Sequence, residues 1–329
     1  MLILTSADLR RAISMAEAIA VTTDAFAQLS SGQARMPLRP RVEMTEHDGV
    51  LLLMPAYLAG SGALGLKALT LYPQNPARHG LPAIAAVVLL FASETGRPLA
   101  LLDAGELTAL RTGAASGVAT QLLARDDART LAIFGAGAQA LPQVWAVCVT
   151  RNIEHVVVIN RTHEHAERLA AALRAFGPPV PGDVRVAASV ADALRDADVI
   201  CCATASPTPL FADADLKPGT HINAVGAYLP AMREVPGATV ARARVVVDAR
   251  DAAGAEAGEL VMAREEGLIG AEYPVAELGE VALGRMAGRL DPAQITLFKS
   301  VGVAAQDIAV AQVAYARARE LGLGTEAAF

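Results

Sequence analysis

Residues 133–140 read IFGAGAQA, an apolar strand end followed by Gly135, Ala136, Gly137, Ala138, Gln139 and Ala140. The order of strand, glycine turn and small-residue helix start suits a dinucleotide pyrophosphate. The first glycine makes the tight turn, the second lets a phosphate approach the backbone, and the following helix presents its N-terminal amides to the anion. The helix is expected from Ala138 onward. Alanine at 140 fills the third place, whose task is close packing of helix on strand. The same small residues also suit plain packing, so the surroundings have to decide.

Those surroundings favour a ligand. From Leu131 the strand-like runs LAIF, VVVIN, VRVAA, VICCAT, HINAV and ARVVVDA alternate with helical stretches, and ITLFKSV closes the series. This alternation predicts an α/β fold, a Rossmann-type doubly wound parallel sheet over residues 123–302. Its second strand sets the adenosine end. A carboxylate there would hold the ribose hydroxyls and favour NAD(H). Asn160, Arg161 and Thr162 stand there instead, and an arginine with two hydrogen-bonding neighbours suits a 2′-phosphate. NADP(H) is therefore expected, with NAD(H) the alternative. Loops after later strands add Ala203, Thr204, Ala205, Val225, Gly226, Ser300 and Gly302 as candidate cofactor contacts, because ligands lie across the carboxyl ends of such strands.

The first third reads differently. Ser14 to Glu17 matches a capping box for a helix running to Gly32. Apolar runs at 51–54, 64–71, 83–92 and 99–104 follow, the last two joined by SETGRP, a reversal marked by Gly and Pro. An alanine-rich helix is expected over 107–123 and a final helix over roughly 303–321. This mixed first third is expected to supply the substrate side.

The composition narrows the function classes. The 329 residues carry 28 basic and 34 acidic side chains, a formal charge of −6, with no basic run. A nucleic-acid surface is not expected. The longest apolar run, IAAVVLLFA at 84–92, is about half a bilayer span, and the N-terminal residues lack signal-peptide order. Cys148, Cys201 and Cys202 show no metal-ligand spacing and are expected as buried thiols. A cytoplasmic protein with no metal, membrane or nucleic-acid partner follows as the expectation.

Three cations interrupt otherwise apolar or proline-rich sequence: Arg41 in MPLRPR, Lys67 in LGLKALTL and Arg111 in ELTALRTGAAS. Lys67 and Arg111 have no nearby charged neighbour in sequence except Glu106. The three cations are candidates for a carboxylate-binding pocket, with Lys67 near the reacting nitrogen, although such cations more often face solvent.

The runs LGLKALTLYPQNPARHGLPAI, ETGRPLALLDAGELTALRTGAAS, FGAGAQA and INAVGAY, in that order, resemble the ornithine cyclodeaminase/mu-crystallin family. The resemblance spans nearly the whole chain. It implies a homodimer, an α+β substrate and dimerisation domain formed by residues 1–122 with 303–329, substrate contacts at Arg41, Lys67 and Arg111, catalytic roles for Lys67 and Arg111, a cofactor loop at 135–140, and an NADPH-using branch at 160–162. One departure carries weight. Where cyclodeaminases hold an aspartate and a lysine, this chain has Tyr228 and Met232, so ring-closing amine chemistry is disfavoured and Tyr228 becomes a pocket residue. The resemblance implies NADPH-dependent reduction of small cyclic ketimine carboxylates, such as Δ1-pyrroline-2-carboxylate to L-proline. The alternatives are an NAD-using ornithine cyclodeaminase or amino-acid dehydrogenase, and a non-catalytic NADPH-dependent ligand-binding protein.

Overall fold

Period-two alternation in the first third produces strands with one buried face. The computed structural model describes residues 1–37 and 39–328, which divide into two compact units, Met1–Arg111 with Val303–Phe329 and Thr112–Gly302. The division falls inside the helix Ala104–Leu123 rather than at its C-terminal end.

In the first unit a mixed eight-stranded sheet has an antiparallel centre formed by Gly49–Leu58, Ala63–Leu71, Ile84–Ala92 and Pro98–Asp103. The SETGRP reversal is present, with Gly96 at φ +71° donating to Ala92 O. The expected 51–54 strand extends over Gly49–Leu58. Four strands of this sheet were not legible: Leu2–Leu4 pairs with Pro98–Asp103, Thr325–Glu326 with Leu2–Leu4, and both Ala34–Arg35 and Arg41–Met44 with Gly49–Leu58. Three- and two-residue strands are too short to show a period.

Helices Met15–Ser30 and Ala304–Glu320 pack together, and the second lies on the central strands. The Ser14–Glu17 capping box forms as read. The helix expected from 107 starts at Ala104, because the Asp103 carboxylate accepts from the amides of Gly105 and Glu106 at 2.9 and 3.1 Å. Such a cap stabilises a helix end by about 1 kcal/mol.

The second unit is an eight-stranded parallel sheet, as expected. Its spatial order is Val184–Val186, His155–Ile159, Thr130–Phe134, Val199–Cys202, His221–Ala224, Thr296–Lys299, Arg244–Val247 and Ala276–Glu277. Four of these strands are buried at every residue, which is why they do not alternate apolar with polar, even where His221, Asn223, Thr296 and Lys299 are buried among them. Chain order reverses between Thr130–Phe134 and Val199–Cys202, and at such a switch point the loops part to leave a crevice.

Candidate active site

The switch-point crevice is a cavity of about 830 Å³ in the second unit. Of the expected cofactor contacts, Gly135, Ala136, Gly137, Asn160, Arg161, Thr162, Ala203, Thr204 and Ala205 line it. Ala138, Gln139, Ala140, Val225, Gly226, Ser300 and Gly302 are not among its lining residues. The ionisable side chains on its wall are Arg161, His163 and His165, with no carboxylate among them.

The glycine loop fits a bound pyrophosphate. Gly135 has φ +103°, and a Cβ there would stand 2.6 Å from Ala203 O, so only glycine is accommodated. A Cβ on Gly137 would meet nothing within 4 Å, so its backbone faces open space that a phosphate can enter. The helix starts at Ala140, two residues later than the sequence suggested, because residues 138 and 139 form a turn in which the Ala140 amide donates to Gly137 O at 3.0 Å. Ala140 itself is fully buried in the core cluster that holds Leu131 and Ile133, where alanine is small enough to serve as glycine does. At the other end of the cavity, Asn160 Nδ2 donates to Thr162 O at 3.0 Å, and Thr162 caps the helix His163–Phe176 without spending its hydroxyl.

The loops beyond the cavity wall are held by buried carboxylates. Glu234 binds the loops at Thr204 and Gly226. Asp248 Oδ2 accepts from Ser300 Oγ, Val301 N and Gly302 N at 2.8, 2.9 and 2.7 Å. Val225 and Gly226 therefore stand behind Thr204, and Ser300 and Gly302 belong to the loop organised by Asp248.

A second constellation lies in the first unit. Along Ala63–Leu71, the residues Ala63, Gly65 and Lys67 share the buried face. Gly65 brings the helix close, since a Cβ there would lie 3.1 Å from Ile308 Cδ1 and 2.5 Å from Leu89 O. One residue before Ile308, Asp307 meets Lys67: Nζ lies 2.9 Å from Oδ1 and 2.8 Å from Oδ2. Arg111 Nε donates to the same Oδ1 at 3.0 Å, and its Nη1 to Gln306 Oε1 at 2.7 Å. Lys67, Arg111 and Asp307 are 2%, 6% and 0% exposed. Two buried cations thus share one carboxylate, an excess of one positive charge. Burial pushes the Lys67 ammonium down to about 8, and Arg111 and Arg39 push the same way, while Asp307 opposes them.

Arg41 does not join this cluster. It sits on the strand Arg41–Met44, about half exposed, 3.4 Å from Glu43. Glu106, the one charged neighbour of Lys67 and Arg111 in sequence, pairs with Arg10 at 2.6 Å instead. Tyr228 is half-buried in the loop after His221–Ala224, and burial pushes its phenol up. Sequence reasoning missed Asp307, Gln306, Glu234 and Asp248. The signal for Asp307 was present: a lone acid in AAQDIAVA mirrors the lone cations of LGLKALTL and ALRTGAAS. Its partners lie 240 and 196 residues away, so no local spacing links them. All three cysteines are free and buried, and burial pushes Cys148 and Cys201 up to about 12. Among the described residues no helix is long and apolar enough to cross a membrane.

Fold and cavity together define a Rossmann-type dinucleotide-binding protein. Known proteins place it more closely. The sequence profile of the Ornithine cyclodeaminase/mu-crystallin family matches residues 1–322, and the chain belongs to that family. It is 40% identical to a Δ1-pyrroline-2-carboxylate reductase of Bacillus cereus over 331 residues, covering 100% of both chains. The structure of Thermococcus litoralis Δ1-pyrroline-2-carboxylate reductase in complex with NADH and L-proline superposes with a TM-score of 0.94, at 40% identity over 99% of this chain and 100% of that one. An archaeal alanine dehydrogenase dimer with bound NAD superposes with a TM-score of 0.91, at 35% identity over 100% and 99% of the two chains.

Proposed function

We propose that the protein is an NAD(P)H-dependent reductase of small cyclic ketimine carboxylates, with Δ1-pyrroline-2-carboxylate as the favoured substrate and L-proline as its product. The observation that carries this reading is the excess positive charge of the Lys67–Arg111–Asp307 cluster. A buried uncompensated charge is costly, and an anionic substrate carboxylate would complete it. Arg111 offers the planar fork that binds carboxylates in bidentate fashion, and Asp307 and Gln306 fix its orientation.

The dinucleotide supplies a hydride to the imine carbon. The nitrogen needs a proton in the same event, so that C=N becomes CH–NH. Lys67 is suited to supply it, because an ammonium pushed down to about 8 gives up its proton far more readily than an exposed lysine. Asp307 holds Nζ in place. Tyr228, a phenol pushed further up by burial, offers no base for the ring-closing amine chemistry of cyclodeaminases. The full-length relatives named as pyrroline-carboxylate reductases support this substrate class over alanine dehydrogenation.

NADPH is the preferred coenzyme in this reading. Arg161, His163 and His165 on a wall without carboxylates suit a 2′-phosphate. A homodimer is part of the proposal. Leu53, Ala68 and Val87 pair across the sheet, as do Pro55, Leu66 and Leu89, forming an apolar face on which Val87 is 42% exposed.

Coenzyme oxidation with Δ1-pyrroline-2-carboxylate, followed by chiral analysis, tests the reading. NADPH consumption matched by L-proline supports it. Tight NADPH binding with no oxidation across pyrroline, piperideine and thiazoline carboxylates would leave a ligand-binding protein instead.

A further inference from the structure

Glu234 is fully buried behind the cavity wall, and donors from two loops occupy both of its carboxylate oxygens. Oε1 accepts from Thr204 N at 2.6 Å and from Thr204 Oγ1 at 2.8 Å. Oε2 accepts from Gly226 N at 2.7 Å and from Ala227 N at 3.1 Å. Thr204 lines the cavity. The two loops are in such close contact that a Cβ on Gly226 would stand 2.1 Å from Thr204 O.

The charges around Glu234 do not cancel. Lys299 and Glu259 are both fully buried, with Nζ 3.0 Å from Oε2, and Lys299 also donates to Ala227 O. Glu259 Oε1 accepts from the Glu234 amide at 3.1 Å. Two carboxylates against one ammonium leave one negative charge. Burial pushes the Glu234 carboxyl up, while Lys299 and the Thr204 donors hold it down; the backbone amides of Thr204, Gly226 and Ala227 can only donate, and they favour the charged form. Joining two loops requires acceptors, not a charge, and a buried charge is costly to keep. The charge therefore calls for its own explanation.

We propose that Glu234 is a positioning residue whose fixed negative charge, held behind the Thr204 loop, makes the site bind the oxidised, positively charged nicotinamide more tightly than the reduced, neutral one. This rests on the nicotinamide reading above. A site biased toward the cation also favours loss of hydride from the reduced coenzyme.

Equilibrium binding of NADP+ and NADPH, without substrate, tests the proposal. Glu234→Gln keeps the size and removes the charge. It is expected to weaken NADP+ about tenfold and NADPH less than about threefold, the order of size of one screened charge. Glu234→Asp keeps the charge with a shorter reach, so it should leave the oxidised-to-reduced affinity ratio within about twofold even where both affinities fall. Should Glu234→Gln not fold, the aspartate variant alone decides: an altered ratio overturns the proposal. Equal losses for both coenzymes in Glu234→Gln, or no loss for either, also overturn it and leave the reductase reading standing. Failure of the unaltered protein to bind either dinucleotide removes both.

Discussion

At the scale of single residues, burial decides which side chains can do chemistry. Lys67 is one of the largest fully buried side chains, and the cause of its low ammonium pKa is burial among positive neighbours. Because the protonated form donates, kcat/KM should be level below about pH 8 and fall as pH rises through it. Lys67→Met should lower kcat/KM at least about 100-fold, the low end of general-acid contributions, with dinucleotide affinity unchanged. Equal activity in that variant would remove Lys67 from the mechanism. His221 shows the same physics in a structural role. Burial holds its imidazole down to about 3, and a neutral ring satisfies both neighbours, Thr296 Oγ1 at Nδ1 and Asn223 Oδ1 at Nε2. Below its ordinary pKa of about 6.5 the unfolded chain takes up a proton that the folded chain refuses. Its contribution to stability is therefore complete above that pH and lost progressively as pH falls toward 3. Urea midpoints between pH 7.5 and 4 should fall less steeply in His221→Gln than in the unaltered protein; parallel slopes would contradict this account.

At the scale of elements, the glycine loop separates two demands that the motif alone merges. Gly135 is needed by the fold, because φ +103° and the Ala203 carbonyl exclude any side chain. Gly137 has open space and is free for a ligand. Gly135→Ala should therefore lower the thermal midpoint, with a backbone cost of roughly 1–2 kcal/mol before the clash is counted. Gly137→Val should leave the midpoint near its original value and weaken dinucleotide binding more than about tenfold, about 1.4 kcal/mol. Calorimetry beside a binding titration reads both. Seven of the parallel strands and their order of appearance were legible because each is a short, mostly apolar run between helical stretches, whereas the two-residue strand Ala276–Glu277 is too short to read. The start of the loop helix was not, since Ala138 and Gln139 suit a turn as well as a helix. The charged clusters stayed hidden for another reason. Asp307 and Glu234 find their partners across the fold, and single-sequence spacing carries no record of such distances. Arg41, grouped with Lys67 and Arg111 in sequence, stands on a strand apart from their cluster, 3.4 Å from Glu43.

At the scale of the whole molecule, the chain combines a dinucleotide unit with a unit whose buried charge is unbalanced. The apolar sheet face of the first unit supports self-association, and Val87→Glu would place a carboxylate on it. Sedimentation is expected to show the unaltered protein as a dimer and this variant as a monomer; a dimer in both would move the interface elsewhere. The central claim concerns which bond is reduced and for which acid. It is tested most directly by kcat/KM with NADPH for Δ1-pyrroline-2-carboxylate beside pyruvate with ammonia, and by ammonia release from ornithine with NAD+. The account predicts that the cyclic imine is preferred over pyruvate with ammonia by at least about 100-fold, some 2.7 kcal/mol of transition-state binding, and that ornithine is not deaminated. Faster turnover of pyruvate with ammonia, or ammonia released from ornithine, would contradict it.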